Sequence, residues 1–222
     1  MGPWDNDQGK ALDTLLPPER GFEIDESYRG VVTQSSWQTD HVETQTLDVD
    51  LLERIRPDEW VAAYLASTII AAENTALVMN IGTTDPIKVW VNGSLLLEAR
   101  EGDRHRTDQF VVPVELVKGE NQILVKTAHQ EGAWKFSARL TGQDGLFPQG
   151  VSSTLPTRGK PCVETQAVWT PKTLVHDRTN DLEESPARRA YHMNVWFKEM
   201  GAKRKRVHHL ESALSRYTNS IA

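Results

Sequence analysis

VWVNGSLLLEAR, from Val89 to Arg100, is the stretch whose reading decides the fold class. Val89, Val91 and Leu95 to Leu97 suit a pleated, half-buried surface, and between them stands Asn92-Gly93. That dipeptide readily takes φ > 0 at both centres of a two-residue turn, so the stretch predicts a β-hairpin. Its neighbours repeat the pattern: TALVMNIG (75–82), DQFVVPVEL (108–116), NQILVKTAHQ (121–130) and AWKFSARLTG (133–142) are short apolar runs closed by Gly, Pro, Asn or Asp. Short strands at this spacing imply an antiparallel sandwich or barrel rather than an α/β fold. Val117 to Asn121 reads as a polar turn. Pro113 marks an edge strand or bulge, because proline cannot donate to a ladder.

Upstream, ETQTLDVDLL (43–52) alternates Thr44, Thr46, Asp48 and Asp50 with Gln45, Leu47, Val49 and Leu51, as a half-buried strand does. DEWVAAYLASTIIAA (58–72) mixes alanines that favour helix with Thr68, Ile69 and Ile70 that favour strand, and is read as mostly strand. The first residues, to about Tyr28, are rich in Pro, Gly and acids and predict an extended, loop-rich lead-in. Beyond Gly145 prolines at 148, 156, 161 and 171 mark an irregular linker, with one short strand around Val163 to Trp169. Then the period becomes helical: Ser185-Pro186 gives an N-cap and first-turn proline, and Gly201 a stop between helices at Pro186–Met200 and Ala202–Tyr217. The expected organisation is therefore mainly β: a jelly-roll-like antiparallel sandwich over 1–145, an irregular linker over 146–180 and a C-terminal α-helical hairpin over 181–222.

Composition narrows the function classes. With 222 residues and a formal net charge of -6, the chain has no general attraction to phosphate backbones or anionic lipid, so neither nucleic acid nor membrane is expected as a partner. No run approaches the roughly 20 apolar residues that span a bilayer. Met1 is followed at once by Gly2, Pro3, Trp4, Asp5 and Asn6, which is not the basic start and apolar core of a secretory signal. A single cysteine, Cys162, excludes an internal disulfide and a multi-cysteine metal site.

Taken in order, the Gly-polar turn before IKVWVNG, the Trp-Val-Asn-Gly strand end, the Lys-Gly-x-Asn turn, Leu-Val-Lys and the closing Gly-x-Trp-x-Phe-x-x-Arg-Leu resemble a galactose-binding-like β-sandwich. Such modules occur in the sugar-binding domain of family 2 glycoside hydrolases and as accessory domains of large bacterial proteins. GPWDN…PPE resembles their Gly-Pro-aromatic start, although the apolar strand that usually precedes it is lacking. The likeness runs from Gly2 to Leu140. It implies a non-catalytic, often carbohydrate-associated module of proteins that are often exported or periplasmic. Phe197, Met200, Gly201, Ala213 and Tyr217 stand at offsets that resemble a tetratricopeptide helix pair.

A sugar site needs aromatic faces against C–H patches and planar polar groups for hydroxyls. The aromatic candidates are Trp37 and Trp134, with Trp90 more naturally a packing residue. The polar ones are Asp85, Asn92, Arg104, His105, Asp108 and His129. Against them, strand tryptophans are mostly buried. Asn92 is explained by its turn, and the mixed charges of REGDRHRTDQF (100–110) suit a solvated loop.

Enzyme readings find less. No pair of carboxyls stands out for glycoside hydrolysis, no nucleophile turn accompanies Cys162 and His176, and His208-His209 are about 100° apart on a helix rather than stacked. A structural calcium ion would draw on Asp48, Asp50 or Asp85, but no loop has the dense oxygen spacing of a calcium loop, and no cofactor is expected. Two other functions stay open. One is a protein-interaction domain whose contact surface is the C-terminal helices, with Met193, Val195, Trp196 and Leu210 exposed. The other is a fragment of a larger hydrolase. Exposed aromatics near the 100–108 loop favour the carbohydrate reading instead.

Overall fold

The structure is a computed structural model and describes residues 1–31, 34–38, 48–55, 58–102 and 104–163. The helical hairpin expected at 181–222, with its tetratricopeptide-like offsets, lies outside them, as does the strand expected around 163–169 beyond Val163.

The hairpin that opened the sequence is present. Strands β8 (Ile87–Val91) and β9 (Ser94–Ala99) pair antiparallel, and Asn92 and Gly93 join them with φ of 52° and 83°. The asparagine does more than turn the chain. Its Nδ2 donates to Asn121 Oδ1 at 2.9 Å and its Oδ1 accepts from the Gln122 amide at 3.0 Å, tying the hairpin to the next strand.

That next strand is β11 (Gly119–His129), and it pairs along its whole length with β6 (Val61–Ala71). The alanine-rich 58–72 segment is thus strand, because an eleven-residue ladder to β11 outweighs the helix propensity of its alanines. β1 (Trp4–Asp5) and β13 (Val151–Thr154) lie end to end along the free edge of β6, so the larger sheet runs β1/β13-β6-β11-β8-β9. The smaller sheet is β10 (Phe110–Leu116), β7 (Thr75–Thr83), β12 (Lys135–Thr141) and β5 (Val49–Asp50), in that order. Pro113 falls on β10, an edge strand, and is exposed. Two small pairs complete the set, β2 (Phe22–Glu23) with β14 (Arg158–Gly159) and β3 (Ser27–Arg29) with β4 (Gln34–Ser36).

Both large sheets contribute inward residues to one apolar core, among them Met79 and Ile81 of β7, Val89 of β8, Leu97 of β9, Val112 of β10, Val125 of β11, and Trp134. The chain is mainly β and antiparallel, as its turn-punctuated strands predict. Two local expectations are corrected. The strand expected to continue through Leu51 stops at Asp50; Leu51–Arg54 is one helical turn (α1), because the Asp50 carboxylate accepts from the Leu52 amide at 3.0 Å and caps it. The region expected to be an irregular linker after Gly145 supplies β13 and β14. Its signal was weak because Ser152, Ser153 and Thr154 are exposed on a sheet edge and carry no apolar alternation.

The lead-in covers rather than trails. Trp4, Phe22 and Leu16 from it pack with Tyr64, Trp90, Leu95 and Leu124 on the outer face of the larger sheet, which is therefore buried on both sides. Within this layer Lys126 and Glu19, with side chains 0% and 1% exposed, pair at 2.8 Å. Glu19 also accepts from the Tyr64 hydroxyl and the Leu16 amide, and Lys126 donates to the Thr14 carbonyl at 2.6 Å, so each buried charge has hydrogen-bond partners beyond the pair itself.

Candidate functional site

Six strand ends meet at one end of the two sheets: β6, β8 and β12 start there, while β7, β9 and β11 finish. The loops between them form an open cleft of about 440 Å³, lined by Thr84, Asp85, Pro86, Arg100, Gly102, Arg104, Gln130, Glu131 and Ala133. This volume is in the range of small-molecule sites, roughly 300–1,000 Å³. Gly102 closes one wall: a Cβ there would stand 2.5 Å from the Thr84 carbonyl oxygen, so only glycine lets the 100–106 loop lie against the Thr84–Asp85 turn.

Trp60, just before β6, stands beside this cleft. The residue is 40% exposed, and its φ is 56°, a region that bulky residues avoid. The conformation is held from both sides. The Trp60 amide donates to Gln130 O at 2.9 Å, and Trp60 O accepts from the Asn6 amide at 2.9 Å. The indole Nε1 donates to Glu131 Oε1 at 3.3 Å, so the ring's polar edge is bound to a cleft-lining residue. Backbone strain of this kind persists where the surroundings over-determine it and concentrates at functional sites.

Beneath the floor lies a buried stack. His129 Nδ1 is 2.9 Å from Asp85 Oδ1, and its ring lies parallel to that of Trp134 with centroids 4.8 Å apart. Trp134 Nε1 donates to Thr127 Oγ1 at 3.1 Å. Asp85 Oδ2 accepts from the Thr84 hydroxyl at 2.5 Å, and Oδ1 lies 3.4 Å from the Gln130 amide, so both carboxylate oxygens are engaged within the protein.

The sequence candidates divide accordingly. Asp85 and Arg104 line the cleft, while His129 and Trp134 lie under it, each 0% exposed, so the Trp134 faces meet protein rather than a ligand. Trp37 packs on Phe22 in the covering layer at 4.4 Å between ring centroids. Asn92 is at the opposite end of β8, in its turn. His105 is 2.9 Å from Ser137 Oγ on the smaller sheet, and burial lowers its pKa. Asp108 forms a two-pronged pair with Arg139. Trp90 is buried, as its packing reading requires. Trp60, Arg100, Gln130 and Glu131 were missed. Trp60 lies inside a segment read for helix-versus-strand preference, and no local pattern signals its positive φ.

Other candidate chemistry is occupied by structure. Asp48 pairs with Lys135 at 3.0 Å and is held below the usual carboxylate range by it, and Asp50 caps α1. Among the described residues no three His, Cys, Asp or Glu side chains gather to hold a metal. The Cys162 thiol is pushed up to about 12 by burial and by Glu19, so it is not a poised nucleophile. A second depression of about 350 Å³ touches Trp4, Leu16, Arg29 and Val31, but Trp4 is 5% exposed and packs edge-on against Tyr64, leaving no face to stack on.

No protein-family model, no curated protein and no solved structure matches the chain.

Proposed function

We propose that this chain is a non-catalytic carbohydrate-binding module with a jelly-roll-like, galactose-binding-like sandwich, and that the strand-end cleft beside Trp60 takes the sugar. The observation that carries the reading is Trp60 itself: a half-exposed tryptophan, held at positive φ by two backbone hydrogen bonds, with its indole N–H tied to Glu131. A ring fixed in advance costs little entropy when a sugar's C–H face stacks on it, and Gln130 and Glu131 stand beside it for hydroxyls. Lack of catalysis is supported by the closure of Asp85 in its hydrogen bonds, which leaves Glu131 without a second open carboxyl among the described lining residues.

A glycan-array screen of the full chain followed by calorimetric titration of the best glycan tests this. Trp60→Ala is expected to weaken binding at least about ten-fold, the loss of one stacking contact plus its apolar area, with thermal stability close to the parent. An array with no specific binder, or a Trp60→Ala protein that binds as the parent does, ends the reading. The protein-interaction alternative has one observation of its own. Leu146 and Phe147, 56% and 72% exposed, are presented on a turn closed by Gly142 N to Leu146 O at 2.8 Å.

A further inference from the structure

We infer that the cleft is built for neutral rather than anionic sugars, and that Asp13, which does not line it, sets this preference by occupying the fork of Arg100. The inference rests on the carbohydrate reading of the same cleft. Arg100 is part of the lining, and a free guanidinium there would be the natural seat for a uronate, sulfate or phosphate, because its parallel N–H groups match such anions two at a time. The fork is already filled. Arg100 Nη1 donates to Asp13 Oδ2 at 3.0 Å and Nη2 to Asp13 Oδ1 at 2.7 Å, while Glu98 Oε1 stands 2.5 Å from Nη2.

Asp13 is well placed to stay. It belongs to the turn in which its own amide donates to Lys10 O at 3.0 Å and the Thr14 amide to the same oxygen at 3.1 Å. Lys88 Nζ lies 3.8 Å from Asp13 Oδ1 and adds attraction from the sheet. The hydrogen bond from Arg100 holds the Asp13 carboxyl below its ordinary range, so it stays ionised at neutral pH. Arg100, Lys88, Asp13 and Glu98 together carry no net formal charge, and an incoming carboxylate would have to displace an intramolecular one that is already oriented. The other guanidinium of the lining, Arg104, is not free either, and what the wall leaves for a ligand is the exposed Gln130 amide and the Glu131 carboxylate, groups suited to hydroxyls, with the Trp60 indole tied to Glu131 beside them.

Matched sugars separate the charge from the shape. Methyl galactoside with methyl galacturonoside, and methyl glucoside with methyl glucuronoside, are titrated by NMR into the full chain, Asp13→Asn, Arg100→Gln and the double variant. In the parent the neutral member of the better pair is expected to bind at least about ten-fold more tightly. Asp13→Asn raises uronate affinity about ten-fold with neutral affinity within about two-fold, and Arg100→Gln added to it removes that gain. Inorganic sulfate is the sugar-free arm: it should shift the Arg100 side-chain Nε–H resonance saturably in Asp13→Asn and not in the parent. Neutral sugars that bind through Trp60 with a charge preference unmoved by Asp13→Asn overturn this inference and leave the carbohydrate reading standing, as does a parent that prefers the uronate. If no sugar of either kind binds the folded parent, both fall.

Discussion

Asn121 is a residue whose importance a reader of the sequence could see and whose reason lies elsewhere. Fully buried, it accepts from the Val117 amide at 2.9 Å and donates to the Val117 and Gly119 carbonyls at 2.7 and 3.1 Å, closing the Lys-Gly-x-Asn turn with its side chain. The turn was legible from its residue types. The bond it accepts from Asn92 was not, because that partner lies 29 positions away. Trp60 is the opposite case, an aromatic given no role by sequence pattern and singled out by one dihedral. Its φ yields a prediction at this scale. Trp60→Gly should be more stable than Trp60→Ala by about 1 kcal/mol in urea unfolding, because glycine enters the left-handed region without the Cβ penalty, while both lose the sugar. A Trp60→Ala protein as stable as Trp60→Gly would show that the backbone there carries no strain.

The element whose behaviour pH should reveal is the loop that crosses the smaller sheet. At Gly82 a Cβ would meet Arg106 O at 2.3 Å and His105 Nε2 at 2.8 Å, so the loop is seated in a notch cut by the missing side chain of β7. Burial against this sheet lowers the pKa of His105 from its ordinary value of 6.5, only partly opposed by the nearby Asp48 carboxylate. Below 6.5 the unfolded chain then binds more protons than the folded one. This histidine's contribution is therefore lost as pH falls from 6.5 through the folded pKa. Melting temperatures between pH 7.5 and 5.5 should fall more steeply for the parent than for His105→Asn, which cannot titrate. Parallel curves would mean that the ring is not buried in solution. The strands themselves were legible from period and punctuation. α1 was not, since one capped turn needs only Asp50 and a place to dock, and the docking partner is Trp134 O, accepting from the Leu51 amide at 2.8 Å.

Over the first compact unit, Met1–Pro171, the larger sheet has two buried faces, and the second is made by segments far apart in sequence. The Glu19–Lys126 pair is the polar centre of that layer, joining positions 107 apart. Removing one partner leaves the other charged and buried, so Glu19→Ala should cost about 3–5 kcal/mol. Lys126→Met with Glu19→Gln should recover most of that loss in chemical denaturation, since no buried charge remains. A double variant as unstable as Glu19→Ala would place the cost in packing instead. By itself the sequence determined the antiparallel strands and the Asn-Gly hairpin, narrowed Pro113 to an edge strand or a bulge, and drew attention to Asp85 and Arg104 among the polar groups, because alternation, turn chemistry and local charge act over a few residues. Only the tertiary structure decided that the lead-in roofs a sheet, that Trp134 and His129 lie beneath the cleft, that Gln130 and Arg100 line it, and that Trp60 is bound beside it. Those facts depend on which strand ends meet and on hydrogen bonds between distant segments. No local window of residues carries that information.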